Sequence, residues 1–432
     1  MAYGKGPFTA QDKILPGMYV NVKGEAEMGS DIGARGKAAV ALELDWGNDS
    51  SEIFKVTAKD FYSNCNKIFG YNYSDAKMLV LREIFKGATE VYVYRLNGAG
   101  AVKASAEGFA TAKYAGVRGN DIQVVVSVNV DDTSKFDVAT MMAGAVVDRQ
   151  LKVDATTLKD NEYVTFLKGD GFALVEGTKA LSGGTNATSV ATANHNAFLN
   201  KLEAYQVNVV GCISEDASVQ AIYASWVKAQ RDVYGNCIQG VLFNQPADHE
   251  GIINVDDSAA IVPWVMGKQA GCALNASLQN IVYDGEVKPT KEYTQSELET
   301  ALLNGRFVLH RVGDEHRVLA DINSLVSLSV TKTEDFKLNQ TIRVIDQLTI
   351  DACDIWGESF LGKVPNTEAG RGAFWNRMIS LLNEYLAVGA IDAYDKELVT
   401  VAPGTQRGSV VLQMPVTVAT MLEKAYVTIV VQ

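Results

Sequence analysis

VNVVGCISEDASVQAIYASWVKAQRDVYGNCIQGVLFN, Val207 to Asn244, holds an apolar run, an amphipathic stretch and a second apolar run. VNVVGCI is short and β-rich, the pattern of a strand buried on both faces. DASVQAIYASWVKAQRDVYG predicts a helix capped near Asp216 and ending at Gly235. NCIQGVLFN predicts the next strand. A βαβ unit of this kind implies a partly parallel sheet. The expected fold class is α/β and α+β, multi-domain: a mixed α/β core domain, a small inserted all-β domain, and extended arms at both ends.

Downstream, TQSELETALLNG carries the capping box Thr294 to Glu297 and a stop at Gly305. FVLHRVGDEHRVLADI predicts a hairpin turning at Gly313-Asp314. NQTIRVIDQLTIDACDIWGESFLG predicts a long helix with Ile342, Ile345, Leu348, Ala352, Ile355 and Trp356 on one broad face. GAFWNRMISLLNEYLAVG predicts another, with Phe374, Met378, Leu381, Leu382 and Tyr385 inward. GSVVLQMPVTV and AYVTIVV are β again, and Pro415 confines its strand to an edge or a bulge.

Upstream, ARGKAAVALELDWG and EVYVYRL predict strands. SDAKMLVLREIFKG between them predicts a helix capped at Ser74 and stopped at Gly87. From about Ala99 to Thr185 the chain becomes short β runs separated by Gly, Asp and Asn: NDIQVVVSVNV, RQLKVDA, EYVTFLK and FALVEG. The expected division is an N-terminal arm over 1–22 and a part over 23–98 packing on the core. A β insert follows over 99–186, then an α/β domain over 187–340. A helical part over 341–408 and terminal strands with a donated arm over 409–432 complete the chain.

Formal net charge is −12, from 39 basic and 51 acidic residues. That balance disfavours a nucleic-acid partner, which needs a basic footprint, and an anionic membrane surface. No run approaches about 18 apolar residues, so membrane insertion is not expected. MAYGKGPFTAQDK lacks the apolar core of a secretion signal. Cys65, Cys212, Cys237, Cys272 and Cys353 form no CxxC pair and read as buried thiols in a reducing compartment.

Catalytic chemistry is hard to find, and no catalytic, cofactor or metal residue is expected. Gly98 and Gly100 follow a strand, but the third glycine position of a dinucleotide loop is Lys103. An interdomain turn explains them better. No phosphate-cradling GxxxxGK[ST] and no GxSxG occur. His310 and His316 flank a turn with Asp314 and Glu315, and His249-Glu250 is not part of HExxH. Asp256-Asp257 and Asp131-Asp132 read as solvated turns.

The two ends carry the remaining signal. Met18, Val20 and Val22 share one face of a short strand that includes Tyr19. At the other end Tyr426, Thr428 and Val430 alternate with Val427, Ile429 and Val431, with no charge after Lys424. A strand within its own sheet is one reading. The other is strand donation, in which each end completes a neighbour's sheet. Both ends carry such a strand, and both are tethered by stretches, Lys23–Gly36 and Ala402–Gly408, that read as flexible hinges. Donation from two ends makes contacts that propagate into a polymer.

The ordered parts resemble the contractile tail sheath family of bacteriophages and R-type bacteriocins. ILPGMYVNV resembles that family's proline-glycine-aromatic N-terminal strand. AKYAGVRGNDIQVVVSVN resembles the opening of its β insert, with Gly119, Asn120 and Asp121 before a strand. GRGAFWNRMISLLNEYLAVGAIDAYD and the closing strands resemble its C-terminal domain. The shortness of the chain suggests a member with only one β insert, without the large outer domains of some relatives. The resemblance implies subunits in hexameric rings around an inner tail tube protein, linked by terminal arms, with baseplate and tail terminator proteins as further partners. It also implies a metastable extended state that contracts, assembly in a bacterial host cytoplasm, and release on lysis. Energy stored at assembly needs no nucleotide, which agrees with the missing phosphate loop. Lys363, Arg371 and Arg377, flanking the last helix, are the candidates for the tube contact. Another self-assembling tail or tube protein, or a Rossmann-type enzyme, are the competing readings.

Overall fold

The computed structural model describes Gly4–Gly6, Gly17–Tyr19 and residues 32–48, 51–169 and 171–431. Its centre is a seven-stranded sheet. The strands run in the order Arg306–Phe307, Ile252–Val255, Gln239–Phe243, Val209–Gly211, Lys37–Leu42, Glu90–Arg95 and Phe54–Thr57. All neighbours are parallel except the last pair. The part before residue 98 thus supplies three strands of the sheet, rather than packing on it from outside.

Successive residues of a strand face opposite ways, and both faces here are covered. Val40, Val209, Val241 and Ile253 face one core. It is covered by α1 (Ala58–Phe69), α2 (Leu79–Phe85) and, later in the chain, Val262–Gly271. Ala39, Ala41, Val210 and Leu242 face the other, under α3 (Thr192–Leu202) and α4 (Ala217–Asp232). Local chemistry sets the helix ends. Thr57 and Asp60 make a capping box for α1, and Gly70 ends it at φ 75°. Asp216 accepts from Ser218 N to start α4. The Ser74 cap is corrected: a 3₁₀ turn over Ala76–Met78 precedes α2, and its N-cap Asp75 makes no side-chain cap bond.

The Val262–Gly271 helix, α5, lies against α2 with backbone nearly touching backbone. A Cβ on Gly271 would sit 1.9 Å from Gly87 O, and one on Gly267 would sit 2.2 Å from Ile84 O. Glycine is required there by space, since neither φ is positive. Next come α6 (Gln295–Leu303), with its Thr294–Glu297 capping box and Gly305 at φ 62°, and the hairpin Leu309–Val312 with Glu315–Val318.

The β insert is two facing antiparallel sheets. One orders Ala145–Val153, Phe136–Met142, Ile122–Val128 and Gly177–Ala180; the other orders Val164–Phe166, Ala110–Ala112 and Ser105–Ala106. The Phe136–Met142 strand is absent from the sequence reading, and the run read at FALVEG pairs only from Gly177. Arg95, 2% exposed, fixes the insert to the sheet. Its Nη1 donates to Gly47 O at 3.1 Å and Ala115 O at 2.8 Å.

Two helices dominate the C-terminal region: α7 (Asn339–Ile355), continued by a π turn over Trp356–Phe360, and α8 (Glu368–Ala387). Phe374, Met378, Leu381, Leu382 and Tyr385 are the buried residues of α8. The α7 expectation is too narrow. Its first three turns also bury Arg343, Asp346, Gln347 and later Asp351, while Ile345 is only half-buried. These polar groups are paired across the region's boundary. Arg231 of α4 makes a bidentate bridge to Asp346, at 2.7 and 2.8 Å.

Candidate functional site

After α8 the chain forms two short ladders, Ile391–Tyr394 with Val416–Val418 and Thr400–Pro403 with Val410–Gln413. Pro415 lies between the last two strands, where the chain leaves one ladder for the other. Lacking an N–H, it suits that break. Ala402–Gly408 is therefore the end and turn of a hairpin rather than a flexible hinge, closed by Gly404 N to Ser409 O at 2.9 Å. The 408/409 division falls inside that turn.

Beyond this the chain runs in the open. Among the described residues, Tyr426–Val431 has no strand pairing. Tyr426 is 92% exposed, Val427 76%, Ile429 83%, Val430 76% and Val431 90%; Thr428 is exposed as well. At the other end, Gly17–Tyr19 pairs in parallel with Gly4–Gly6, placing Met18 opposite Lys5 and Tyr19 opposite Gly6. Val20 and Val22 lie outside the described residues.

The three basic candidates fall on one segment without forming one stripe. Lys363, exposed, donates to Glu358 O in the turn after α7. Arg371 donates to Asn366 Oδ1 at 2.9 Å. At about 100° per residue, Arg371 and Arg377 lie about 120° apart around α8.

Buried polar chemistry concentrates where the chain enters this region, and sequence reasoning missed it. Asp351 Oδ1 accepts from Gly33 N at 3.1 Å and Gln347 Nε2 at 2.7 Å. Its Oδ2 accepts from Tyr385 OH at 2.6 Å. Burial pushes the Asp351 carboxyl above the usual carboxylate range, against the pull of these donors. Arg35, bonded to Gln347 Oε1, is brought down to about 10 by burial and then by Arg343.

Other clusters have structural explanations. Asp232, His249 and Glu250 bring potential metal ligands within 4.8 Å of one another. However, Gly251 N donates to His249 Nδ1 at 3.0 Å, so the proton sits on Nε2, facing Asp232 at 3.2 Å. The nitrogen nearest the carboxylates is thus already committed, and Glu250 is paired with Lys332. Asp256 is not a solvated turn: it is buried and bonded to Lys291, Tyr293 and Arg306. Asp131-Asp132 lies in a turn held by Asn129, with Asp131 exposed and Asp132 half-buried. Cys65, Cys212 and Cys272 are buried, but Cys237 is half-buried and Cys353 exposed.

The sheet also has the crevice in which doubly wound enzymes bind ligands. The strand order reverses between Lys37–Leu42 and Val209–Gly211, and a cavity of about 290 Å³ opens there, lined by Leu42, Leu44, Lys77, Leu96, His195 and Ser214. At the nearby N-terminus of α4, where a phosphate would sit, the Asp216 carboxylate already takes Ser218 N at 2.8 Å. Gly98 and Gly100 lie in a turn that leads into the β insert, not into a helix.

Four family models follow one another along the chain. The N-terminal region of domain III of tail sheath protein Gp18 matches residues 35–96, and the phage tail sheath β-sandwich domain matches 97–186. The phage tail sheath central domain matches 188–324, and the C-terminal domain 331–432. The chain is 33% identical to the uncharacterised protein YqbK of Bacillus subtilis (strain 168), over 98% of each chain. The crystal structure of the sheath tail protein Lin1278 from Listeria innocua superposes with a TM-score of 0.79 at 30% identity, covering 89% of this chain and 92% of that one. The fold is shared by the anti-feeding prophage helical sheath in its contracted state, at 12% identity and a TM-score of 0.58, over 96% of this chain and 98% of that one.

These matches define a structural protein of phage tails. The chain belongs to the phage tail sheath family, whose place is a virion tail or a tail-like particle. Among the described residues, no helix is long and apolar enough to cross a membrane.

Proposed function

We propose that this chain polymerises as hexameric rings around an inner tail tube, in a metastable extended sheath whose contraction drives the tube through a target cell envelope. Baseplate and tail terminator proteins hold its two ends. Subunits assemble in the host cytoplasm and leave on lysis. The observation that carries this reading is the exposed, alternating segment Tyr426–Val431. Such a strand gains backbone bonds and apolar burial only from a partner with an open edge. The two-stranded ladders at Ile391–Tyr394 and Thr400–Pro403 supply edges of that kind on the same region. Met18, Tyr19, Val20 and Val22 are the donated residues of the other arm. The division of the chain into arms, core and insert belongs to the same reading.

The purified full-length chain is expected to form hollow striated tubes in nucleotide-free buffer, increasing with concentration, under negative-stain microscopy. A discrete oligomer whose melting temperature shifts with a small ligand would instead favour an enzyme. For the tube contact, Lys363, Arg371 and Arg377 serve as separable surface charges, each modest in water. The variant carrying Arg371→Glu and Arg377→Glu is expected to fold normally and to assemble poorly on tubes. Normal assembly would remove these residues from the tube interface.

A further inference from the structure

We propose that Tyr385 is a positioning residue that couples the roots of the two terminal arms, so that displacement of one root is passed to the other. Two chains of contacts meet on this fully buried side chain and its carbonyl. On the N-terminal side, Tyr385 OH donates to Asp351 Oδ2, and Asp351 Oδ1 holds Gly33 N. Space is tight there: a Cβ on Gly33 would lie 2.9 Å from both Asp351 Oδ1 and Gln347 Nε2. Ile32 packs against the same core as Tyr385.

On the C-terminal side, α8 ends in a Schellman motif. Ala390 N donates to Tyr385 O at 2.9 Å, Gly389 N donates to Leu386 O at 3.0 Å, and Gly389 has φ 72°. Ala390 O then accepts from Ala419 N at 3.1 Å. Beyond Ala419, residues 420–431 are exposed. The path from Gly33 to Ala419 thus runs through Asp351, Tyr385 and Ala390, all buried. Packed, hydrogen-bonded joints of this kind move as units rather than deforming gradually.

The inference rests on reading both termini as arms, and its test uses the free chain so that the two can fail separately. Residue-resolved amide exchange is measured on full-length protein kept dilute. Tyr385→Phe removes only the hydroxyl on the Gly33 side. It is expected to speed exchange at Gly33 about tenfold and to raise it severalfold at Ala419, with Leu381 unchanged. Gly389→Ala strains the other side at an exposed site where the nearest added contact is Asn275 Cβ at 3.8 Å. It is expected to do the reverse, speeding Ala419 most and Gly33 as well, because coupling is reciprocal. Exchange that rises only at the near root in each variant would overturn the proposal. If Tyr385→Phe does not fold, Gly389→Ala alone decides. Independent roots in a chain that still forms tubes would remove the coupling and keep the sheath reading; coupled roots without tubes would do the opposite.

Discussion

A chain ended at Glu423 is expected to fold as the full chain does and to form no tubes. Removing the last nine residues uncovers no core, because Tyr426, Val427, Ile429, Val430 and Val431 are each at least three-quarters exposed. The change in folding stability is expected to stay within about 0.5 kcal/mol, the usual range for surface changes. The loss falls on association. An apolar side chain buried against a neighbour contributes about 1.5–3 kcal/mol, and the segment would bury several at every subunit contact, together with its backbone bonds. Negative-stain microscopy and sedimentation of the two chains side by side check this. Tubes from both would place the segment in its own domain and leave the N-terminal arm as the link.

The second large effect concerns stability. Arg343 is fully buried; it donates to Gln269 Oε1 at 2.6 Å, Ala276 O at 2.9 Å and Asp321 Oδ2 at 3.3 Å. Asp321, 3% exposed, also accepts from Gln269 Nε2, Asn339 Nδ2 and Leu278 N. The network fastens α7 to α5, to the loop that follows α5 and to the segment after the Glu315–Val318 strand. Arg343→Met keeps most of the length and leaves Asp321 as a buried charge without its cation. Such a loss costs about 3–5 kcal/mol, read as a lower urea midpoint. Adding Asp321→Asn removes the stranded charge and is expected to restore a good part of it. Equal losses in the single and double variants would show that packing, not charge, holds this joint.

Residues close in sequence were readable where one face or one turn decides the outcome. The inward set of α8 follows from its 3.6-residue spacing, and the Thr294–Glu297 box and Gly305 bound α6 from local chemistry. The βαβ unit at Val207–Asn244 gave the parallel sheet because apolar runs of that length suit strands covered on both faces. The polar residues of α7 were not readable. Arg343, Asp346, Gln347 and Asp351 look like a solvated face, and only partners far along the chain, Arg231, Gln269, Asp321 and Gly33, make it an inner one. The buried Asp256 was hidden in the same way, since Lys291, Tyr293 and Arg306 reach it from a later segment. At the proposed assembly site, alternation in Tyr426–Val431 was plain, but one chain cannot state which edge a strand will meet.

The central sheet ends on one side in Arg306–Phe307, only two residues long, and on the other in Phe54–Thr57, four residues long. Short borders give a stray chain few rungs to grip. Strand addition is thus discouraged at the borders of the central sheet and left to the terminal segment, while a net charge of −12 keeps drifting copies apart. Growth would then favour orderly addition at a prepared end over random clumping in a crowded cell, and the balance between the two should be adjustable by salt alone.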